Sequence, residues 1–179
     1  MNCWKSINLD KQYGIRWLQF ISFLIGLMAF IIMYVPFSMF HEGKPVHDSG
    51  IMLFVLAIIL LPTLHSLMHI LPLFVLNKRI KLICIRKRVL PILTFYTDSH
   101  VSKYASILSA IAPTITITLP GIIMALLFPS LYVYLLIATS INIGMTVIDF
   151  LYIRHLIRAP RNAYIENGDD GFDILLKAN

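Results

Sequence analysis

The chain has 179 residues, 58% of them apolar and only 13% charged, against roughly 25% charged in soluble domains. The net charge is +6, and the basic residues gather at the ends of long apolar runs. That pattern excludes a soluble globular enzyme, makes nucleic-acid binding an unnecessary reading, and suits a membrane with anionic lipid headgroups.

Lys5, Lys11 and Arg16 precede the first apolar run, about 17–39. This run is longer than the ~7–15 residues of a signal-peptide core and no A-x-A-like site follows it, so it is predicted to be a retained helix. The next segment, 40–50, carries a single basic residue, Lys44. Its "HEGKPVH", 41–47, holds His41 and His47 in a Pro/Gly context that no helix face unites, and a solvated loop is expected. A second run, about 51–76, contains "LPTLHSLMHILP", with Pro62 and Pro72 on either side of His65 and His69. The insert 77–103 follows, with Lys78, Arg79, Lys81, Arg86, Lys87, Arg88 and Lys103. Its Ile-, Val-, Phe- and Tyr-rich stretch predicts one or two short strands at the membrane surface, with a plain basic anchor loop as the alternative. The third run, about 104–128, is interrupted by Pro113 and Pro120, and the fourth, about 131–153, follows the uncharged "FPSL". A tail, 154–179, contains Arg154, Arg158, Arg161, Lys177 and the turn-like "NGDDG" at 167–171, which predicts a hairpin.

Each run reaches the roughly 20 residues needed to cross the hydrocarbon. The expected fold is an all-α membrane protein, a single domain over 1–179, with four transmembrane helices, a partly extended cytoplasmic insert and a C-terminal hairpin. The excess of Lys and Arg places both termini and 77–103 in the cytoplasm of a multi-pass cell-membrane protein. Cys3 and Cys84 then lie in a reducing compartment, where no structural disulfide is expected.

His65 and His69 are four residues apart and share one helical face. Two ring nitrogens can thus aim at one point, as in the zinc-binding H-E-x-x-H helix. Here the segment reads H-S-L-M-H, with Ser66 at the glutamate position. Asp149 is the sole acidic residue in the four runs and needs a partner in lipid. Counting along helices, Asp149 lies about 6 Å, His69 about 10 Å and His65 about 16 Å from the cytoplasmic ends of their runs. Asn142, two turns before Asp149, falls near the level of His65. A metal site, or the relic of one, fits these heights. Interhelical hydrogen bonds by the histidines, and pairing of Asp149 with Arg154 or His155, are the competing readings.

The order of these segments resembles a bacterial membrane family labelled "putative zincin peptidase", related in layout to the site-2 proteases. The resemblance rests on "HSLMH", the basic insert, "IAPTITIT" with Ala112-Pro113, "NIGMTVIDFLYI" with Asn142 and Asp149, and "APRNAYIENGDDGFDI". It covers about residues 50–175. It implies zinc as cofactor, with His65, His69 and Asp149 as ligands. It also implies that Asn142, and Ser66 beside it, support the metal or position substrate without acting as ligands. A transmembrane protein segment is the implied substrate or partner, alongside membrane lipid.

Ser66 departs from the family pattern, because a serine is a poor general base at neutral pH. Asp98 and His100 are the nearby titratable groups that could take over. Three functions follow: a catalytically impaired family member, or pseudoprotease, that binds membrane partners; an active intramembrane zinc metallopeptidase; and a small proton or cation transport subunit. The almost wholly apolar outer halves of the spans count against a transport path.

Reporter fusions test the topology directly. A fusion within 40–50 is expected to report outside and one within 77–103 inside; the reverse would put the histidines in the wrong half of the membrane.

Overall fold

The computed structural model describes residues 2–42, 50–76, 80–87, 90–97, 100–168 and 171–176. The chain opens with a strand, β1 (Asn2–Ile7), and a short helix, α1 (Leu9–Tyr13), capped by the Asn8 side chain accepting from the Lys11 amide at 2.8 Å. Four helical segments long and apolar enough to cross a membrane follow: Ile15–Phe40, Ile51–Val75, Lys103–Leu127 and Tyr132–Arg158. They match the four predicted runs to within a few residues. The first is one helix, α2 (Ile15–Phe40), and the last is one helix, α7 (Tyr132–Arg158). The middle two are broken.

The breaks lie near prolines. The second span divides into α3 (Ile51–Met68) and α4 (Ile70–Val75), with a turn at His69. Pro72 has no N–H to return to the Met68 carbonyl. The third span runs as α5 (Lys103–Pro113), a π-helical turn over Thr114–Thr118, and α6 (Leu119–Leu127), which begins with Pro120 in its first turn. Pro113 likewise leaves the Ser109 carbonyl without its helical donor. Within the π turn, the Thr116 hydroxyl donates to the Ala112 carbonyl at 2.8 Å. In lipid, freed backbone groups persist where neighbours satisfy them.

The central helix is α7, which packs against α2, α3, α5, α6 and the π turn. Its approach to α2 is set by small residues. A Cβ on Gly144 would sit 2.7 Å from the Ser22 carbonyl oxygen, and one on Gly26 would sit 3.0 Å from the Ser140 carbonyl oxygen. Backbone thus meets backbone, the arrangement that drives helix association where lipid removes the hydrophobic incentive. The large apolar side chains left exposed, such as Ile32, Met52, Ile59 and Phe74, are the expected lipid-facing surface of such a bundle.

The insert forms two antiparallel strands, β2 (Ile80–Lys87) and β3 (Leu90–Thr97), as the sequence predicts. The tail forms the predicted hairpin, β5 (Ala163–Gly168) with β6 (Gly171–Leu176), in register from Gly168 opposite Gly171 to Ala163 opposite Leu176. The hairpin does not stand alone. A short strand β4 (Val101–Ser102) pairs with β5, and β1 pairs with β6, giving a four-stranded sheet in the order β1-β6-β5-β4. The strand at β1 was not expected from the sequence. Its inward residue, Ile7, joins Ile165, Phe172, Ile174 and Leu156 in a buried cluster between sheet and α7. The two ends of the chain therefore meet at one end of the bundle.

One loop residue differs from expectation. His41 is not solvated: α2 extends to Phe40 and turns His41 inward, where it is 4% exposed among Phe37, Phe40 and Tyr132. Its Nε2–H donates to the Ala125 carbonyl at 2.9 Å, near the end of α6. The rest of that loop, 43–49, lies outside the described residues.

Gly144→Ala tests the close approach. Alanine favours a helix over glycine by about 1 kcal/mol, yet here its methyl meets backbone that cannot swing aside. A net loss of about 1–3 kcal/mol is expected, read as a lower midpoint of thermal unfolding in detergent. Unchanged or raised stability would show that α2 and α7 are not locked at this point.

Candidate metal centre

His65 lies in the last turn of α3, His69 on the turn between α3 and α4, and Asp149 about two-thirds of the way along α7. The structure brings the three together. His65 Nε2 is 3.3 Å from Asp149 Oδ2, and His69 Nε2 is 3.3 Å from Asp149 Oδ1. One candidate ligand atom from each residue lies within 4.8 Å of the others. The two rings meet edge to face, with centroids 5.0 Å apart. Asp149 thus pairs with the histidines and not with Arg154 or His155.

Each ring is fixed through its other nitrogen. His69 Nδ1 is 2.9 Å from the Ser109 carbonyl oxygen, the group Pro113 leaves without a helical donor. A carbonyl can only accept, so Nδ1 donates. The same pair is tied a second time, because the Ser109 hydroxyl donates to the His69 carbonyl at 2.6 Å. His65 Nδ1 is 2.9 Å from Asn142 Oδ1. The amide orientation follows from its other contacts: Asn142 Nδ2 is 2.9 Å from Thr118 Oγ1 and 3.4 Å from the Pro113 carbonyl oxygen, which accepts. Asn142 is fully buried, and both ends of its amide are satisfied.

These bonds decide what the centre can hold. With Nδ1–H donating in both neutral rings, each Nε2 carries a lone pair. Both lone pairs face a carboxylate, which also only accepts. Asp149 Oδ2 is fully buried and has no hydrogen-bond partner among the described residues; the approach of His65 Nε2 lacks the geometry of one. With both rings neutral, three acceptors face one another with no donor among them. A proton on one ring would satisfy part of this set, whereas a divalent cation would satisfy all of it. Ligands bonded at ~2.0–2.1 Å to a tetrahedral zinc lie about 3.3 Å apart, the separation of both His–Asp pairs. Two neutral imidazoles and one carboxylate, with a further position free for a non-protein ligand, is also the donor set of catalytic zinc.

A profile for a family described as "putative zincin peptidase" matches residues 58–164, more than half of the chain. The chain belongs to this family. No curated protein and no solved structure matches it. The matched segment runs from α3 to the start of β5, so it includes both histidines, the π turn, Asn142 and Asp149. A zincin site implies zinc, and the acceptor set at His65, His69 and Asp149 fits that ion.

The centre opens onto a groove of about 930 Å³ between α2, α3 and α7. Its walls are apolar, with Phe23, Leu27, Phe30, Ile137 and Met145. Its polar lining includes Ser66 and, from α2, Gln19 and Ser22. Ser66 therefore stands beside the candidate ligands, as the helical spacing requires. Of the two candidate substitute bases, His100 does not line the groove. His100 lies at the sheet, with Nδ1 3.8 Å from Glu166 Oε2, and Asp98 lies outside the described residues. Sequence reasoning missed Ser109 and Thr118 as supports, together with the contribution of α2 to the groove. For Ser109 a signal was present, since it lies four residues before Pro113.

Zinc content measured on purified protein tests the centre. The wild type is expected to carry about one zinc per chain, and His65→Ala, His69→Ala and Asp149→Asn to lose it. Asn142→Leu removes the acceptor that orients His65 and is expected to weaken zinc binding about 10–100-fold while leaving the three donors in place. Full zinc retention by His65→Ala or Asp149→Asn would rule out this ligand set.

Proposed function

We propose that the protein is an intramembrane zinc-site protein, laid out like the site-2 proteases, in which ordinary peptide hydrolysis is impaired. Its groove serves to bind a membrane-spanning segment of a partner protein. The observation that carries this reading is Ser66, which lines the groove beside His65 where a zincin places its glutamate. Zinc, when bound, lowers the pKa of a coordinated water and polarises a carbonyl. His65, His69 and Asp149 are the residues to hold it, with Asn142 and the Ser109 carbonyl fixing the two rings.

Among the described residues, proton removal is the step left without a residue. The Ser66 hydroxyl is a weak base near neutral pH. Apart from Asp149, the carboxylates among the described residues are Asp10, Glu42, Glu166 and Asp173, and none of them lines the groove. Asp149 itself cannot serve as base without leaving the donor set. The groove keeps what binding needs: an apolar wall for an apolar segment, with hydroxyl and amide groups at the level of the centre for exposed backbone. Family membership favours a second reading, an active zinc metallopeptidase.

The two readings differ in one measurement. A missing general base typically costs about 10²–10⁴-fold in rate. Ser66→Glu is therefore expected to raise zinc-dependent cleavage of a co-expressed membrane substrate well above the wild type, and adding His65→Ala to abolish it. Robust wild-type cleavage that Ser66→Glu does not increase would establish the active peptidase instead.

A further inference from the structure

At the C-terminal end of α7, six residues beyond Asp149, lies a second group of polar side chains that the metal centre does not use. His155 is 7% exposed, and its Nε2 is buried with no hydrogen-bond partner among the described residues. Among the described residues, the charges acting on it are those of Lys5, Arg158 and Arg154. Lys5 comes from β1, the other two from α7 itself.

The sheet register accounts for the sign of this patch. Paired residues on neighbouring strands share a face. Lys5 is opposite Ile174, which is fully buried under the sheet, and Ile7 on the same face is buried too. Lys5 thus lies on the face turned toward α7. Ser6 pairs with Asp173, which in turn pairs with Glu166, so the two acids of the sheet lie on the opposite face. Glu166 there approaches His100. Within this sheet, strand alternation sets Lys5 and the two acids on opposite faces.

The helix terminus does not explain the cations. Basic residues in a last turn commonly answer the negative end of the helix dipole. In α7 that role is already filled by Lys103, which is buried and donates to the carbonyls of Ile157 at 3.0 Å and Ala159 at 2.7 Å. Lys5, Arg154 and Arg158 are in excess of it. All three are exposed, and their charges act on a shielded imidazole at the level where the expected topology puts inner-leaflet headgroups.

We propose that Lys5, Arg154, Arg158 and His155 form a binding site for a phosphate group, that of an anionic lipid headgroup or of a free phosphate. The two guanidinium groups supply paired donors suited to phosphate oxygens, and Lys5 supplies a point charge from the sheet side. The site is separate from the metal centre and does not depend on its occupancy.

The test uses the full chain in detergent, with native mass spectrometry of the protein offered equal amounts of phosphatidylglycerol and phosphatidylcholine. A preference for phosphatidylglycerol is expected. Each neutralised cation should reduce it roughly fivefold, so Arg154→Gln with Arg158→Gln should reduce it roughly 25-fold, and Lys5→Gln roughly fivefold. Lys11→Gln and Arg16→Gln, basic positions near the same end but outside the group, should leave it unchanged. In a parallel arm, inorganic phosphate that displaces the lipid assigns the site to phosphate as such, and phosphate that fails to do so assigns it to the lipid. Binding of neither ligand above the level of phosphatidylcholine overturns the proposal, as does an equal loss in the two control variants.

Discussion

Both imidazoles of the centre donate their Nδ1–H to an oxygen that can only accept, His69 to the Ser109 carbonyl and His65 to the amide oxygen of Asn142. From this constraint the character of the site follows. It fixes the tautomer of each neutral ring, turns both Nε2 lone pairs toward Asp149, and creates a set of facing acceptors that a dication completes. Had either ring been held by a donor, its Nε2 would carry the proton and donate to Asp149, and the set would need no cation.

The supports of these two bonds come from the irregular parts of the helices. Ser109 has a carbonyl to offer because Pro113 cannot return a hydrogen bond to it. The π turn that follows brings Thr118 to Asn142, and the Pro113 carbonyl contributes to the same amide. π turns inside helices recur at functional sites, and here the irregularity supplies both a free acceptor and the seat of the residue that orients His65. His69 itself stands where the second span breaks. The candidate metal centre is therefore built at the places where two membrane helices fail to continue regularly, and α7, which is unbroken, supplies the parts that must stay aligned over distance.

Much of this was legible in the sequence because membrane helices leave few choices. Four apolar runs gave four spans to within a few residues. The spacing of His65 and His69 gave a shared face, and the scarcity of acids within the spans made Asp149 the carboxylate to join them. Asn142 was legible by depth and by family resemblance. What was not legible depended on partners distant in sequence. β1 lacks any signal of its own, since its pairing is decided by β6 across nearly the whole chain. His41 appeared to belong to a loop because Pro and Gly follow it closely, whereas aromatic rings from α2 and α7 bury it. The groove wall formed by α2 depends on how closely Gly26 and Gly144 let two backbones meet, which no local pattern encodes.

That wall has an evolutionary consequence. The stretch shared with the family, 58–164, holds every candidate ligand and every group that orients one, but it begins after α2 has ended. Gln19, Ser22, Phe23 and Leu27, which face the centre from across the groove, belong to the part of the chain outside it. Selection can therefore act on the two sides separately. Drift or exchange in the first helix alters the width and polarity of the opening while the donors and their supports stay as they are. A lineage with this architecture can reshape that opening by rewriting a single helix.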